Sequence, residues 1–129
     1  MRVDIVSSNT ILYCEKWQET LYFYQSVMGL TERFSKGDWF REFLLGPGSV
    51  LSVADAARCT IKSSSGQGLT LSFQVRDLAA HHAHFRDRLD RAAENGEANP
   101  GPIVSNSWRA PYFYVFDPEG NRIEFWSEA

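Results

Sequence analysis

The sequence predicts an α+β protein in which one chain carries two copies of a βαβββ module. Residues 9–24 and 70–85 each show an alternating strand followed by a helical pattern, and they align at a constant offset (70 − 9 = 61). Residues 43–54 and 114–126 each show an apolar strand, a turn with Pro and Gly, and a second alternating strand. These hairpins align when Gly48 is set on Gly120 (120 − 48 = 72).

The first module begins with a strand whose alternation places Asn9 and Tyr13 on the same face. Helical spacing in the next segment predicts that Leu21, Tyr24 and Met28 form the inner side of a helix, which ends at the glycine after Met28. A weaker segment between residues 30 and 39 supplies the second strand, and the hairpin of residues 43–54 supplies the last two.

The second module repeats this order with a longer connection. Asp77 is predicted to cap a helix whose inner side carries Leu78, Phe85 and Leu89. The second strand is expected near residues 103–106. The loop-forming composition of residues 94–102 accounts for the larger offset of the second hairpin.

The predicted domain organisation is one domain over residues 1–129. Module one covers about 7–56, a linker about 57–67, and module two about 68–128. A single module would leave one face of its sheet bare, so we expect the two sheets to curl into a half-open mixed β-barrel cup with the helices outside.

The composition argues against a nucleic-acid-binding protein, a membrane protein and a cysteine-based metal site. The net charge is −3 and no basic run stands out, so a nucleic-acid partner is not expected. No apolar stretch approaches the length of a membrane helix, and the amino terminus lacks the apolar core of a signal peptide. The two cysteines, Cys14 and Cys59, show no metal-binding spacing. We expect a cytoplasmic protein without a membrane partner.

Three short motifs resemble the vicinal oxygen chelate superfamily, which includes glyoxalase I, extradiol dioxygenases and bleomycin-resistance proteins. They are "FY" at Phe23-Tyr24, which closes the first helix, "VMGL" after it at residues 27–30, and "DPEGNRIEF" at residues 117–125. The resemblance implies the paired-module fold, a homodimer, and in the enzymes a metal held by a His or Gln, a Glu, a His and a Glu.

The resemblance places the four metal positions at Asn9, Ser52, Thr70 and Glu124. Of these residues, only Glu124 is an ordinary ligand of zinc or a transition metal. We therefore expect no metal cofactor. A divalent metal stays open as the alternative, because Glu42 is predicted to lie across from Ser52 and could assist Glu124.

The second hairpin carries most of the candidate ligand-binding residues. Its pairing predicts that Tyr112 and Tyr114 share a face with Arg122, Glu124 and Trp126. Glu124 is interpreted either as a ligand-binding or metal-binding carboxylate, or as a solvated acid or the partner of Arg122. Arg122 is interpreted either as an anion anchor, or as that partner or a rim residue. The full predicted set is Tyr13, Gln74, Trp108, Tyr112, Tyr114, Arg122, Glu124 and Trp126; no catalytic residue is identified.

Two further motifs are interpreted as structural. His81, His82 and His84 are predicted to lie on a solvated helix face, away from the cup. The Asp117-Pro118-Glu119-Gly120-Asn121 stretch is predicted to form a turn without a catalytic role.

The leading functional hypothesis is a metal-free small-molecule binding protein that holds a partly aromatic or anionic ligand in the cup. The alternative is a divalent-metal-dependent lyase or dioxygenase with an atypical ligand set. A third option is a structural or regulatory dimer subunit without a ligand.

Overall fold

The computed structural model describes residues 1–89, 92–106 and 108–128, and the chain divides into two compact units, Met1–Ser64 and Ser65–Ala129. The first unit follows the predicted βαβββ order. Its elements are β1 (Ser8–Cys14), α1 (Trp17–Tyr22) with a π-helical continuation (Phe23–Val27), β2 (Thr31–Lys36), β3 (Phe40–Gly46) and β4 (Ser49–Asp55), followed by a short 3-10 turn (Ala56–Arg58).

The first sheet has the strand order β1-β4-β3-β2, with β1 parallel to β4 and the other pairs antiparallel. Tyr24 is buried as predicted, but the prediction for Leu21 and Met28 was wrong, since both are only half-buried. The buried residues of this helix are instead Trp17, Thr20, Phe23 and Tyr24. The wider repeat of the π-helical turn at Phe23–Val27 accounts for Met28, which lies beyond it, whereas Leu21 precedes the turn.

The second unit contains β5 (Thr70–Gln74), α2 (Leu78–Arg88), β6 (Val104–Asn106), β7 (Arg109–Phe116) and β8 (Arg122–Trp126). Its sheet has the equivalent order β5-β8-β7-β6. The predicted cap is confirmed, because the Asp77 carboxylate accepts a hydrogen bond from the Ala80 N–H at 3.1 Å. Leu78 and Phe85 are buried, and Leu89 is half-buried just beyond the helix.

The strand registers confirm both offsets of the predicted repeat. Asn9 pairs with Val50 in the first sheet and Thr70 pairs with Arg122 in the second, which are equivalent pairs (9 + 61 = 70; 50 + 72 = 122). The two-module α+β fold is therefore confirmed. The described strands form two separate four-stranded sheets and do not close into a barrel. The division into modules at 7–56 and 68–128 stays a prediction.

The turn between β7 and β8 is held by the buried carboxylate of Asp117. It accepts hydrogen bonds from the N–H groups of Glu119 and Asn121 and from the Asn121 side chain, at 2.9–3.0 Å. Gly120 has a φ of +90°, which favours glycine. The predicted structural role of this motif is confirmed.

Gly66 lies directly against this turn. A Cβ atom at Gly66 would come 2.0 Å from the Gly120 carbonyl oxygen, so the backbones approach more closely than any side chain allows. Of the helices that the structure describes, none has the length and apolar character needed to cross a membrane.

Candidate functional site: a charged aromatic face of the second sheet

The two faces of the second sheet differ in chemistry. One face packs on α2: the Phe85 and Phe125 rings lie 5.1 Å apart, and Phe113 stacks on Phe125 at 5.4 Å. Because side chains alternate along a strand, Glu124 points to the opposite face. The predicted register of the hairpin is confirmed by three directly opposed pairs, namely Tyr112 with Trp126, Tyr114 with Glu124, and Phe116 with Arg122.

Glu124 is buried, with 9% of its surface exposed, and both of its carboxylate oxygens are engaged. Arg109 Nη2 donates to one oxygen at 2.6 Å, and Ser72 Oγ donates to the other at 2.5 Å. The alternative in which Glu124 pairs with Arg122 is not the one found, since Arg109 takes that place. Burying a carboxylate without a charged or hydrogen-bonding partner is costly, so the contacts with Arg109 and Ser72 offset the cost of burying Glu124.

Arg109 was missed by the sequence interpretation because of a β-bulge. Between two paired positions, β6 advances two residues (Val104 to Asn106) while β7 advances three (Arg109 to Tyr112). Simple alternation would put Arg109 and Tyr112 on opposite faces, because they are three residues apart. The extra residue returns Arg109 to the Tyr112 face, and bulges of this kind commonly re-aim a side chain.

The electrostatics of the Arg109–Glu124 pair are those of a nearly neutral unit. The hydrogen bond that Arg109 donates to Glu124 raises the pKa of Arg109 above its usual value, so the guanidinium stays charged. The same guanidinium lies over the Tyr112 ring, 3.8 Å from its centroid. The pair therefore presents little net charge to a ligand.

Arg122 differs from Arg109 in its partners. Its Nε and Nη2 atoms donate to the Thr70 hydroxyl at 3.1 and 2.9 Å, and its guanidinium lies 4.7 Å from the centroid of the Tyr114 ring. Within residues 1–89, 92–106 and 108–128, no carboxylate forms an ion pair with Arg122. Arg122 is thus an exposed cation whose neighbours are a neutral hydroxyl and an aromatic ring.

The remaining predicted residues of the second unit differ in how far their side chains are buried. Tyr112 and Tyr114 are half-buried, with their rings 5.2 Å apart. Trp126 is half-buried and pairs in register with the exposed Gln74. Trp108 precedes β7 and is 76% exposed.

The predicted residues of the first unit lie on the equivalent face of its own sheet. Ser52 is fully buried, and its hydroxyl donates to the Asn9 side-chain oxygen at 2.8 Å. Glu42 pairs in register with Ser52, as predicted, and is half-buried. Tyr13 is also half-buried and pairs with Ala54.

The donor atoms at the four family metal positions do not fit a zinc or transition-metal site. Asn9 and Ser52 are bonded to each other, Thr70 accepts from Arg122, and Glu124 is held by Arg109 and Ser72. Such metals take imidazole, thiolate or carboxylate ligands, and only one of the four residues offers one. In the described part of the chain, no three His, Cys, Asp or Glu side chains cluster in a way that could hold a metal.

The histidines of α2 are not a solvated face, so that prediction was wrong. His82 donates from Nε2 to the Gly101 carbonyl at 2.9 Å, and its ring meets the buried Phe113 ring edge-on at 5.0 Å. His81 bonds to the Asp77 carbonyl at 2.9 Å, and His84 contacts Phe85. The contacts of His82 join α2 to Gly101 and to β7, whereas those of His81 and His84 stay within the helix and its cap.

Comparison with known proteins places the fold. No protein-family model and no curated protein sequence matches the chain. Among solved structures, a glyoxalase/bleomycin resistance protein/dioxygenase from Nocardioides superposes with a TM-score of 0.72 at 19% identity, covering 99% of this chain and 85% of the other. The chain has the vicinal oxygen chelate fold.

Two further structures with this fold differ from each other in activity. Lactoylglutathione lyase from Agrobacterium tumefaciens superposes with a TM-score of 0.70 at 19% identity, covering 97% of this chain and 95% of the other. An antibiotic binding protein from a Streptomyces species superposes with a TM-score of 0.71 at 20% identity, covering 100% and 99%. The vicinal oxygen chelate fold thus occurs in a binding protein as well as in an enzyme, so the function must be argued from the site.

Proposed function

We propose that the chain is a small-molecule binding protein that works without a metal and takes an anionic, partly aromatic ligand on the Glu124 face of its second sheet. The observation that carries the proposal is the contrast between two arginines. Arg109 is neutralised by Glu124, whereas Arg122 has only the Thr70 hydroxyl and the Tyr114 ring. The three charges on this face therefore sum to about +1.

A guanidinium in this position suits a carboxylate or phosphate. Arg presents several N–H donors in a planar fork, which matches two oxygens of such a group. The Tyr112 and Tyr114 rings beside it offer a flat apolar surface for the rest of the ligand. Trp126, opposite Tyr112 in the register, extends this aromatic surface.

The absence of a metal is part of the proposal and is supported by the donor set. The single carboxylate, Glu124, already has both oxygens in strong hydrogen bonds. A metal at Glu124 would have to displace the Arg109 guanidinium and so break the ion pair that offsets the burial of Glu124. By resemblance to the family, we also propose that the chain forms a homodimer, which analytical ultracentrifugation would test.

The first experiment is elemental analysis of untagged protein after growth with added zinc, nickel, manganese and iron. The proposal expects no stoichiometric metal. About one metal per chain, lost in Glu124→Gln, would instead support the metal-dependent lyase or dioxygenase.

The second experiment uses two probes with the same rings, 2-naphthoate and 2-naphthamide, titrated into isotope-labelled protein and followed by NMR. We expect naphthoate to perturb the β8 amides and to bind more tightly than the uncharged amide. Arg122→Gln should weaken naphthoate by about tenfold, because it removes a charge-assisted hydrogen bond. Arg76→Gln, at an exposed arginine outside the strands, is the matched control and should change little. Equal affinity for the two probes would refute the anion-binding assignment.

A further inference from the structure

The first unit contains a pocket of about 550 Å³ that belongs to no site discussed so far. One wall is formed by α1 and its π-helical continuation, and the other by the β2–β3 turn, the start of β3 and the chain after β4. The residues that decide its chemistry are aromatic on the helical wall and charged on the other: Trp17, Tyr22, Asp38, Arg41, Asp55 and Arg58.

This pocket lies on the helix-covered face of the first sheet. Arg41 and Glu42 are adjacent in β3, so their side chains point to opposite faces. The Arg41 guanidinium lies 6.0 Å from the centroid of the Trp17 ring, which fixes Arg41 on the α1 side. The pocket is therefore separate from the Glu42 and Ser52 face, and it does not depend on the ligand proposed for the second sheet.

The positive charge of Arg41 is already compensated. Its Nε lies 3.2 Å from a Glu32 carboxylate oxygen, and its Nη1 donates to the carbonyls of Gly37 and Phe40, both at 2.8 Å. Only 21% of its side-chain surface is exposed. Arg41 therefore acts as part of the wall and is not an anchor for an anion.

The other three charges of the pocket leave an excess of one negative charge. Arg58 and Asp38 form a long, exposed ion pair at 3.5 Å, and such a pair attracts its two side chains only weakly. One Asp55 oxygen accepts from the Ala57 N–H at 3.0 Å. Two carboxylates, Asp38 and Asp55, stand against one arginine, Arg58, so the wall opposite the helix favours a cation.

The helical wall supplies aromatic surface. Tyr22 is 64% exposed, so its ring is accessible to a ligand that enters the pocket. Aromatic faces next to carboxylates are the combination by which proteins bind organic cations. The π-helical turn directly after Tyr22 forms part of the same wall, and such turns occur frequently at functional sites.

We propose that this pocket binds an organic cation, a primary amine or guanidinium carried on an apolar body. The charged group lies between Asp38 and Asp55, and the apolar part lies against Leu21 and Tyr22. A pocket of this volume falls within the range of ordinary small-molecule sites.

The test uses full-length isotope-labelled protein and two probes with the same ring and spacer, phenethylamine and 3-phenylpropionate. We expect phenethylamine to shift the Trp17 indole N–H and the amides of residues 55–58, and the carboxylate probe to leave them unchanged. Asp55→Asn should weaken phenethylamine binding about fivefold, because it removes one nearby charge and keeps the oxygen that accepts from Ala57. Arg58→Gln should strengthen binding about twofold, since it removes the competing cation.

Glu19→Gln is the matched control, because Glu19 is an exposed acid on α1, the helix of the pocket wall, and does not itself line the pocket. It changes the net charge as Asp55→Asn does, and its effect should be less than twofold. The proposal is overturned if phenethylamine at millimolar concentration shifts none of these signals, or if the two probes bind equally. It is also overturned if Glu19→Gln weakens binding as much as Asp55→Asn. Arg58→Gln, at an exposed side chain, decides the sign of the charge effect even if Asp55→Asn fails to fold.

Discussion

Replacing Gly66 by alanine tests how tightly the approach to the second module packs on the β7–β8 turn. Gly66 has a φ of +78°, and its added Cβ would lie 2.0 Å from the Gly120 carbonyl oxygen and 2.6 Å from the carbonyl carbon. Since both neighbours belong to the backbone, the contact cannot be relieved by turning a side chain. The turn must move by more than 1 Å to restore an ordinary contact, roughly the difference between 2.0 Å and a normal separation.

The expected magnitude has two parts. A left-handed backbone costs an alanine about 1 kcal/mol, and the enforced backbone shift adds about 2 kcal/mol. Gly68→Ala is the matched control, because Gly68 has a similar φ of +72° and no atom within 4 Å of the added Cβ. It should lose only the first part, so the two variants should differ by about 2 kcal/mol.

Chemical denaturation of both variants measures this difference directly. With an unfolding entropy of about 2.1 cal/mol/K per residue and 129 residues, the entropy is about 0.27 kcal/mol/K, and 2 kcal/mol corresponds to a melting temperature difference of about 7 °C. If Gly66→Ala and Gly68→Ala are equally stable, the close approach of Gly66 and Gly120 does not limit the fold, and the reasoning fails.

Two further predictions concern the charged face and the α2 cap. Glu124→Gln should lower the unfolding free energy by about 2 kcal/mol, because it weakens the ion pair of a buried side chain. Combining it with Arg109→Met should cost less than the sum of the two single variants, because the two residues are direct partners, and strictly additive losses in a double-mutant cycle would contradict the pairing. Asp77→Ala should lower the unfolding free energy by about 2 kcal/mol, since it removes the cap to Ala80 at a residue whose φ is +55°. Asp77→Asn should lower it by under about 0.5 kcal/mol in the same urea titration, and equal losses for the two variants would rule out the cap.

The repeat and its registers could be predicted from the sequence because they depend on local, periodic signals. Strand alternation and the Pro-Gly turns fixed both offsets, and the structure pairs Glu42 with Ser52 and Tyr114 with Glu124 accordingly. In a hairpin, the position of the turn determines which residues lie opposite each other. The aromatic and charged composition of the second face was predicted in the same way.

What the sequence missed lies where the periodicity is interrupted. The π-helical turn at Phe23–Val27 displaces Met28 from α-helical spacing, and the bulge in β7 moves Arg109 to the other face. Neither interruption has a strong composition signal, so counting by 3.6 or by 2 gives the wrong face beyond it. The pocket of the first unit was missed for another reason. Its charged residues come from separate elements, with Asp38 before β3 and Asp55 at the end of β4, and only the folded chain brings them together.

The bulge in β7 also decides how related sequences should be aligned with this one. Arg109 reaches Glu124 only because β7 contains one more residue than β6 over the same paired interval. A relative that lacks this residue would send the side chain before its tyrosine pair toward α2, even if it kept an arginine. An alignment that misplaces a gap within residues 107–111 would therefore equate Arg109, which binds the Glu124 carboxylate, with an arginine that cannot reach the equivalent carboxylate. Strand length between the β6 and β7 pairs is the better criterion for deciding which relatives share this ion pair.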